Sequence, residues 1–260
     1  MKKKILILIP VYNAEDSIGE TLQRLFDSFM GDFPTFELYF SLIDNGSTDK
    51  TVRVAQYFQK FGLSIFSFAH TPKRTENWNR CLDVLQKSGC DYGKFLFTGD
   101  SILPEGLAEQ VDCIADYERE NPNKKVHMTT SPHQVRVSLT EDYYMNHVPN
   151  SDRYKFFDKK NAWKRNKDSG NWMAGCVSVP LFSKEVVREA RFNPTLQWAS
   201  DWLFWLEVMD RADGVLFTKE PVAVFDMQSR KHYAELASSK LASLEEEDVQ
   251  ELISQRLKHL

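Results

Sequence analysis

Three clusters of polar residues stand at the ends of apolar runs, and each carries side chains suited to a charged ligand. Pro10-Val-Tyr-Asn-Ala-Glu15 follows the run at 4–9, Asp44-Asn-Gly-Ser-Thr-Asp49 follows Leu38–Ile43, and Thr98-Gly-Asp-Ser101 follows Lys94–Phe97. A turn offering amides and a carboxylate can hold a base or a ribose, and an Asp beside a Gly can hold a divalent cation bound to phosphates. A nucleoside diphosphate fits that set. Arg74 and Lys73 would either meet the phosphates or remain solvated loop charges. Asp201 opens an aromatic segment with Trp202, Phe204 and Trp205. A carboxylate there either accepts a proton from a hydroxyl or caps the helix it begins. Asp100 has the same bland alternative, because Pro104 marks a helix start. Asp44-Asn-Gly-Ser by itself is a common turn.

The elements that must position these residues are legible from periodicity. A continuous apolar run of strand length at 4–9 predicts a parallel strand covered on both faces. After Asn13, a candidate cap, Ile18, Leu22, Leu25, Phe26, Phe29 and Met30 form one stripe of a 3.6-period helix. Leu38–Ile43 reads as the second strand, with a helix through Val52, Ala55 and Phe58. Leu63–Phe68 is a third strand, 77–87 a helix, Lys94–Phe97 a fourth strand, and a helix begins at Pro104. Strands alternating with helices imply an α/β, doubly wound, mostly parallel sheet, whose ligands bind beyond the carboxyl ends of the strands.

The second half reads less regularly. Strands are expected at Val126–Thr130, Val135–Leu139, Cys176–Val179, Val215–Phe217 and Val222–Phe225, with helices at 183–190 and 201–212. Residues 140–171 lack a period and suggest a long functional loop, in which Trp163, or Trp172 just beyond it, packs in the core or offers its ring face to a ligand. We therefore expect one domain at 1–230, with a regular half at about 1–125 and a mixed-strand half at about 126–230, followed by a helical extension at 231–260. The Glu245–Asp248 run reads as a solvated helix face.

Composition narrows the function. The 260 residues are 42% hydrophobic and 27% charged, which is ordinary for a globular chain. A net charge of -4 and a pI near 5.9 give no broad positive field, so nucleic acid is not an expected partner. Cys81, Cys90, Cys113 and Cys176 form no CxxC pair and are expected to be reduced, structural thiols. The Lys-rich start and short apolar run lack a cleavage site, and no stretch reaches bilayer length. A cytoplasmic protein with at most peripheral membrane contact is expected.

Ile9-Pro-Val-Tyr-Asn with Glu15, followed by Ile43-Asp-Asn-Gly-Ser-Thr-Asp-Lys-Thr51, resembles the opening of the family 2 glycosyltransferases. The resemblance extends through Asn77-Trp-Asn-Arg-Cys-Leu82, Lys94–Pro104, Asn193-Pro-Thr-Leu and Ser200-Asp201, most of residues 4–228. It implies a GT-A type fold, with a donor half at about 1–125 and an acceptor half at about 126–230, and inverting transfer from a nucleoside-diphosphate sugar to a saccharide or lipid-linked saccharide acceptor. By that resemblance Asp44 contacts the base, and Pro10, Val11, Tyr12 and Glu15 line the nucleoside site. Asn45, Arg74, Asn79 and Gly99 complete the donor-binding set, Asp100 binds Mn²⁺ or Mg²⁺, and Asp201 is the general base. Direct displacement at the anomeric carbon needs a carboxylate to deprotonate the acceptor and an electrophile to take up charge on the departing diphosphate.

Two departures from the family pattern stand out. Gly99-Asp100 leaves a single carboxylate where many members have two. The stretch Val224-Phe-Asp-Met-Gln228, with His232 farther on, replaces the usual His after the last core strand. They keep a non-catalytic nucleotide-sugar-binding protein as the alternative. A nucleotidyltransferase or a dinucleotide oxidoreductase would need a Gly-rich loop after the first strand, and Pro10-Val-Tyr-Asn contains no Gly.

Overall fold

A computed structural model describes residues 2–137, 142–145, 153–168, 173–227 and 239–259. Its first half follows the expected alternation: β1 (Lys3–Val11), α1 (Ile18–Ser28), β2 (Phe36–Asp44), α2 (Thr51–Gln56), β3 (Leu63–Ser67), α3 (Arg74–Lys87), β4 (Tyr92–Phe95), β5 (Ser101–Ile102) and α4 (Pro104–Glu120). The rest comprises β6 (Met128–Thr130), β7 (His133–Arg136), β8 (Asp142–Met145), β9 (Tyr154–Asp158), α5 (Lys159–Asp168), β10 (Leu181–Ser183), α6 (Ser200–Arg211), β11 (Gly214–Thr218), β12 (Ala223–Asp226) and α7 (Lys240–Leu257).

The main sheet has the order β3-β2-β1-β4-β10-β6-β11-β9, and β3, β2, β1 and β4 run parallel. β10 enters antiparallel between β4 and β6, and β9 closes the far edge antiparallel to β11. A second sheet, β5-β12-β7-β8, leans on the first where β5 leaves the Asp100 corner.

The apolar run of β1 is continuous because both of its faces are covered. Leu6 and Leu8 enter a core with α3 and α6, whereas Ile5, Ile7 and Ile9 enter the opposite core with α1 and α4. All five are at most 3% exposed, and full burial of such a side chain contributes about 1.5–3 kcal/mol. α1 buries Ile18, Leu22, Leu25 and Phe26 as its stripe requires, but it ends at Ser28 and leaves Met30 exposed.

Several expectations for the second half are corrected. Residues 140–171 are not one long loop: they contain β8, β9 and α5, where Phe157 and Trp163 are buried core residues. Cys176–Val179 is a turn, with the Val179 N–H donating to the Cys176 carbonyl, and the strand comes later, at β10. The expected helix at 183–190 is a run of turns, because Ser183 still belongs to β10 and Ala190 ends a compact corner. β9 and β10 form by antiparallel pairing with β11, β4 and β6, partners that local period does not reveal.

Candidate active site

The ends of β1 and β2 lie level. Val11 pairs with Asp44, and the Asn45 N–H donates to the Val11 carbonyl at 2.9 Å. The polar turns that follow are then zipped together by their own side chains. Asn13 donates its N–H to Ser47 Oγ at 2.9 Å, and its Oδ1 accepts the Thr48 N–H at 2.8 Å. The Ala14 N–H donates to Thr51 Oγ1 at 2.7 Å, and Glu15 Oε2 accepts the Lys50 N–H at 2.8 Å. Asn13 caps no helix, since Ser17 precedes α1; it sits at φ 45°, a left-handed conformation that Asn tolerates. Burial pushes the Asp49 carboxyl up, but hydrogen bonds from Thr51 and the Glu15 N–H outweigh it and hold the group below its usual range.

Asp44 lies at the floor of this corner, 2% exposed, with Oδ1 accepting the Ser47 N–H at 3.0 Å. Gly46, at φ 73°, lets the chain leaving β3 pass over it, since a Cβ there would stand 2.8 Å from the His70 nitrogen. At the mouth the half-exposed Tyr12 ring stacks on His70, with centroids 4.5 Å apart and planes at 24°. The result is a flat aromatic shelf beside the corner that buries Asp44, with His70 Nδ1 3.2 Å from the Asn45 carbonyl.

Asn45 and Asn79, both expected at the donor, spend their polar atoms on the protein. Asn45 Oδ1 accepts from the Thr71 N–H and from Arg80 Nη1, while its Nδ2 donates to the Thr71 carbonyl. Asn79 exchanges two hydrogen bonds with the backbone of Phe192, at 3.0 and 2.8 Å, and so ties α3 to the second half of the chain.

At the end of β4 the Asp100 N–H donates to the Phe97 carbonyl at 3.1 Å, with Gly99 between them at φ 91°. A type II turn requires φ > 0 at its third residue, which accounts for this glycine. From α1, Thr21 Oγ1 accepts the Gly99 N–H and Arg24 donates to the Gly99 carbonyl. Asp100 is 1% exposed, and neither it nor Asp201 is a helix cap, because the N-caps are Leu103 and Ala199. Its Oδ2 accepts Ser178 Oγ at 2.8 Å and its Oδ1 accepts the Asp226 N–H at 3.2 Å. Asp100 therefore joins three segments. Beneath it Lys94 is fully buried, and its Nζ donates to the Val179 carbonyl at 2.7 Å. Burial pushes that ammonium down to about 7.

Among the described residues no group of three His, Cys, Asp or Glu could hold a metal ion. A carboxylate such as that of Asp100 is the ligand type that a divalent cation shared with phosphates takes.

Asp201 stands half-buried in the first turn of α6. The helix is anchored by Phe204 and Trp205, both fully buried, and Phe204 stacks on Phe192 at 3.9 Å. Phe192 meets Trp78, and Trp78 meets Phe97 beside the Asp100 corner. Arg74, the first residue of α3, lies over Trp78 and donates to the carbonyl of Gln197, four residues before Asp201. The start of α6 is thus drawn to the edge where the parallel strands end. Trp172, Gln228 and His232 lie outside the described residues.

Residues 6–87 match the family model described as Glycosyl transferase family 2. No curated protein matches the chain. Among solved structures it is similar to S. aureus TarS 1-349 in complex with UDP-GlcNAc, at 17% identity and TM-score 0.64 over 92% of this chain and 61% of that one. It is also similar to the mannosyltransferase PcManGT from Pyrobaculum calidifontis in complex with GDP-Man and Mn²⁺, at 14% identity and TM-score 0.61 over 90% and 60%. The chain therefore spans about three fifths of each neighbour's length. The fold is of the GT-A type, as the resemblance implied.

Family 2 motifs point to Tyr12, Asp44 and Asp100 but are silent on their supports. His70 carried a weak signal, as a polar residue just past a strand end. Thr21, Arg24, Ser178 and the Asp226 backbone carried none, because their partners lie 75 to 126 residues away in sequence.

Proposed function

We propose that the chain is an inverting glycosyltransferase that moves a sugar from a nucleoside-diphosphate donor to a hydroxyl of a saccharide or lipid-linked acceptor. What supports this reading is that β1, β2 and β4 run parallel and end at one sheet edge, where Asp44 and Asp100 stand, and that Arg74 bonds the Gln197 carbonyl just before α6. Asp44 recognises the base from the floor, and the Tyr12–His70 shelf, with Pro10, Val11 and Glu15 around it, lines the nucleoside. Asp100 is the residue that would hold a divalent cation, which when bound offsets charge on the diphosphate. Asp201 accepts the proton of the acceptor hydroxyl as its oxygen bonds to the anomeric carbon. The bond from that carbon to the diphosphate oxygen breaks on the opposite side, so configuration inverts and the nucleoside diphosphate leaves with the bonding pair.

The burial of Asp100 and the hydrogen bonds on both its oxygens favour one alternative, a nucleotide-sugar-binding protein without turnover. Hydrolysis of UDP-GlcNAc and GDP-mannose in Mn²⁺ and in excess chelator separates the two. Turnover that falls roughly 10²–10⁴-fold in Asp201→Asn, with melting temperature unchanged, supports the enzyme. Binding without turnover in the unaltered chain supports the alternative, and equal turnover in chelator removes the cation from the reading.

A further inference from the structure

In the acidic run of α7, Glu247 and Asp248 face solvent as expected, whereas Glu245 and Glu246 are engaged by the protein. Glu245 is 5% exposed, and its carboxylate accepts three successive backbone N–H groups: Gln197 at 2.9 Å on Oε1, then Trp198 at 2.7 Å and Ala199 at 2.8 Å on Oε2. The next residue, Glu246, accepts Trp198 Nε1 at 2.7 Å. These donors end at Ala199, the N-cap of α6, so a buried anion sits where the helix leaves its first N–H groups unpaired. At the other end of α6, Arg256 of α7 donates to Asp210 at 2.8 Å. α7 thus grips both ends of the helix that carries Asp201, through groups 46 to 48 residues apart in sequence. From the donor half, Arg74 holds the Gln197 carbonyl of the same segment.

We propose that α7 belongs to the catalytic apparatus, with Glu245 as a positioning residue that fixes the 197–199 segment and through it the approach of Asp201. This rests on Asp201 being the base. Three N–H groups aimed at one carboxylate make charge-assisted bonds that only an anion of this length satisfies together. Glu245→Gln replaces one acceptor oxygen by an NH₂ group that confronts donors. Glu245→Asp keeps the charge but withdraws it by one methylene. Displacement of a catalytic group by about 1 Å can reduce rate on the order of 10²-fold.

The test uses the full chain, with Glu245→Gln, Glu245→Asp and Asp201→Asn beside the unaltered protein. Amide hydrogen exchange should rise at least tenfold over 197–203 in Glu245→Gln, with 44–51 unchanged. Hydrolysis of UDP-GlcNAc or GDP-mannose, measured well below the melting temperature, should lose at least tenfold in kcat while the donor KM stays within twofold. Glu245→Asp should recover part of both effects. Unchanged exchange over 197–203, or unchanged kcat while Asp201→Asn is inactive, overturns the positioning role. If Asp201→Asn retains more than a third of the rate, or the unaltered protein turns over neither donor, the base assignment fails, and this inference with it.

Discussion

The turns that close the Asp44 corner and the segments around Asp100 and Asp201 are built on opposite plans. In the first, Asn13, Ala14 and Glu15 bond to Ser47, Thr48, Lys50 and Thr51, so one motif supplies the partners of the other at separations of 34 to 37 residues. In the second, the groups that hold Asp100 and the start of α6 come from β12, the 175–179 turn, α3 and α7, up to 126 residues away. A self-bonded pair of turns leaves a sequence signature, because each residue type answers a need of its partner. A segment held by scattered residues leaves none.

The largest expected effect that sharpens this contrast lies at the seam. The Lys94 ammonium is pushed down to about 7 from an ordinary 10.5, so between those values the folded chain binds fewer protons than the unfolded one. Stability should therefore climb as pH rises from about 7 toward 10.5. Lys94→Met should be more stable at neutral pH by a few kcal/mol and should show a flatter slope over that window. Denaturant titrations of both proteins at pH 6.5, 8 and 9.5 check this, and parallel pH profiles would remove the buried ammonium from the account.

At the donor corner, Asp44→Ala should weaken binding of the preferred nucleoside diphosphate at least tenfold, about 1.4 kcal/mol. Calorimetry with UDP and GDP reads it out. Equal affinity in both proteins would mean that the buried carboxylate only closes its turn.

The smallest effect tests the zip between the two motifs. Asn13→Gly keeps the left-handed backbone but removes the acceptor for the Thr48 N–H, and should lower stability by about 1 kcal/mol. A melting temperature unchanged within error would show that the turns hold without their mutual side-chain bonds.

Much of the donor half was legible because its signals are local. The run at 4–9, the stripe from Ile18 and the turn residues at 44–49 each need only neighbours or one partner strand to become β1, α1 and the Asp44 corner. Gly99 was read as a donor contact, while its position in the turn before Asp100 makes it a backbone requirement. Asn45 and Asn79 sit at the expected place with their amides engaged by the protein, a fact of side-chain direction that residue type does not specify. β9 and α5 were missed because their apolar residues meet β11 and α7, far along the chain.

The sequence by itself determined the parallel sheet, its strand ends and the carboxylates at three of its corners, since period and turn chemistry act over a few residues. Only the tertiary structure decided that Asp100 is buried between Ser178 and β12, and that Glu245 belongs to the start of α6 and not to solvent. Long-range burial and hydrogen bonding choose among partners that local sequence cannot name, because each donor or acceptor removed from water takes whichever group the packing brings within reach.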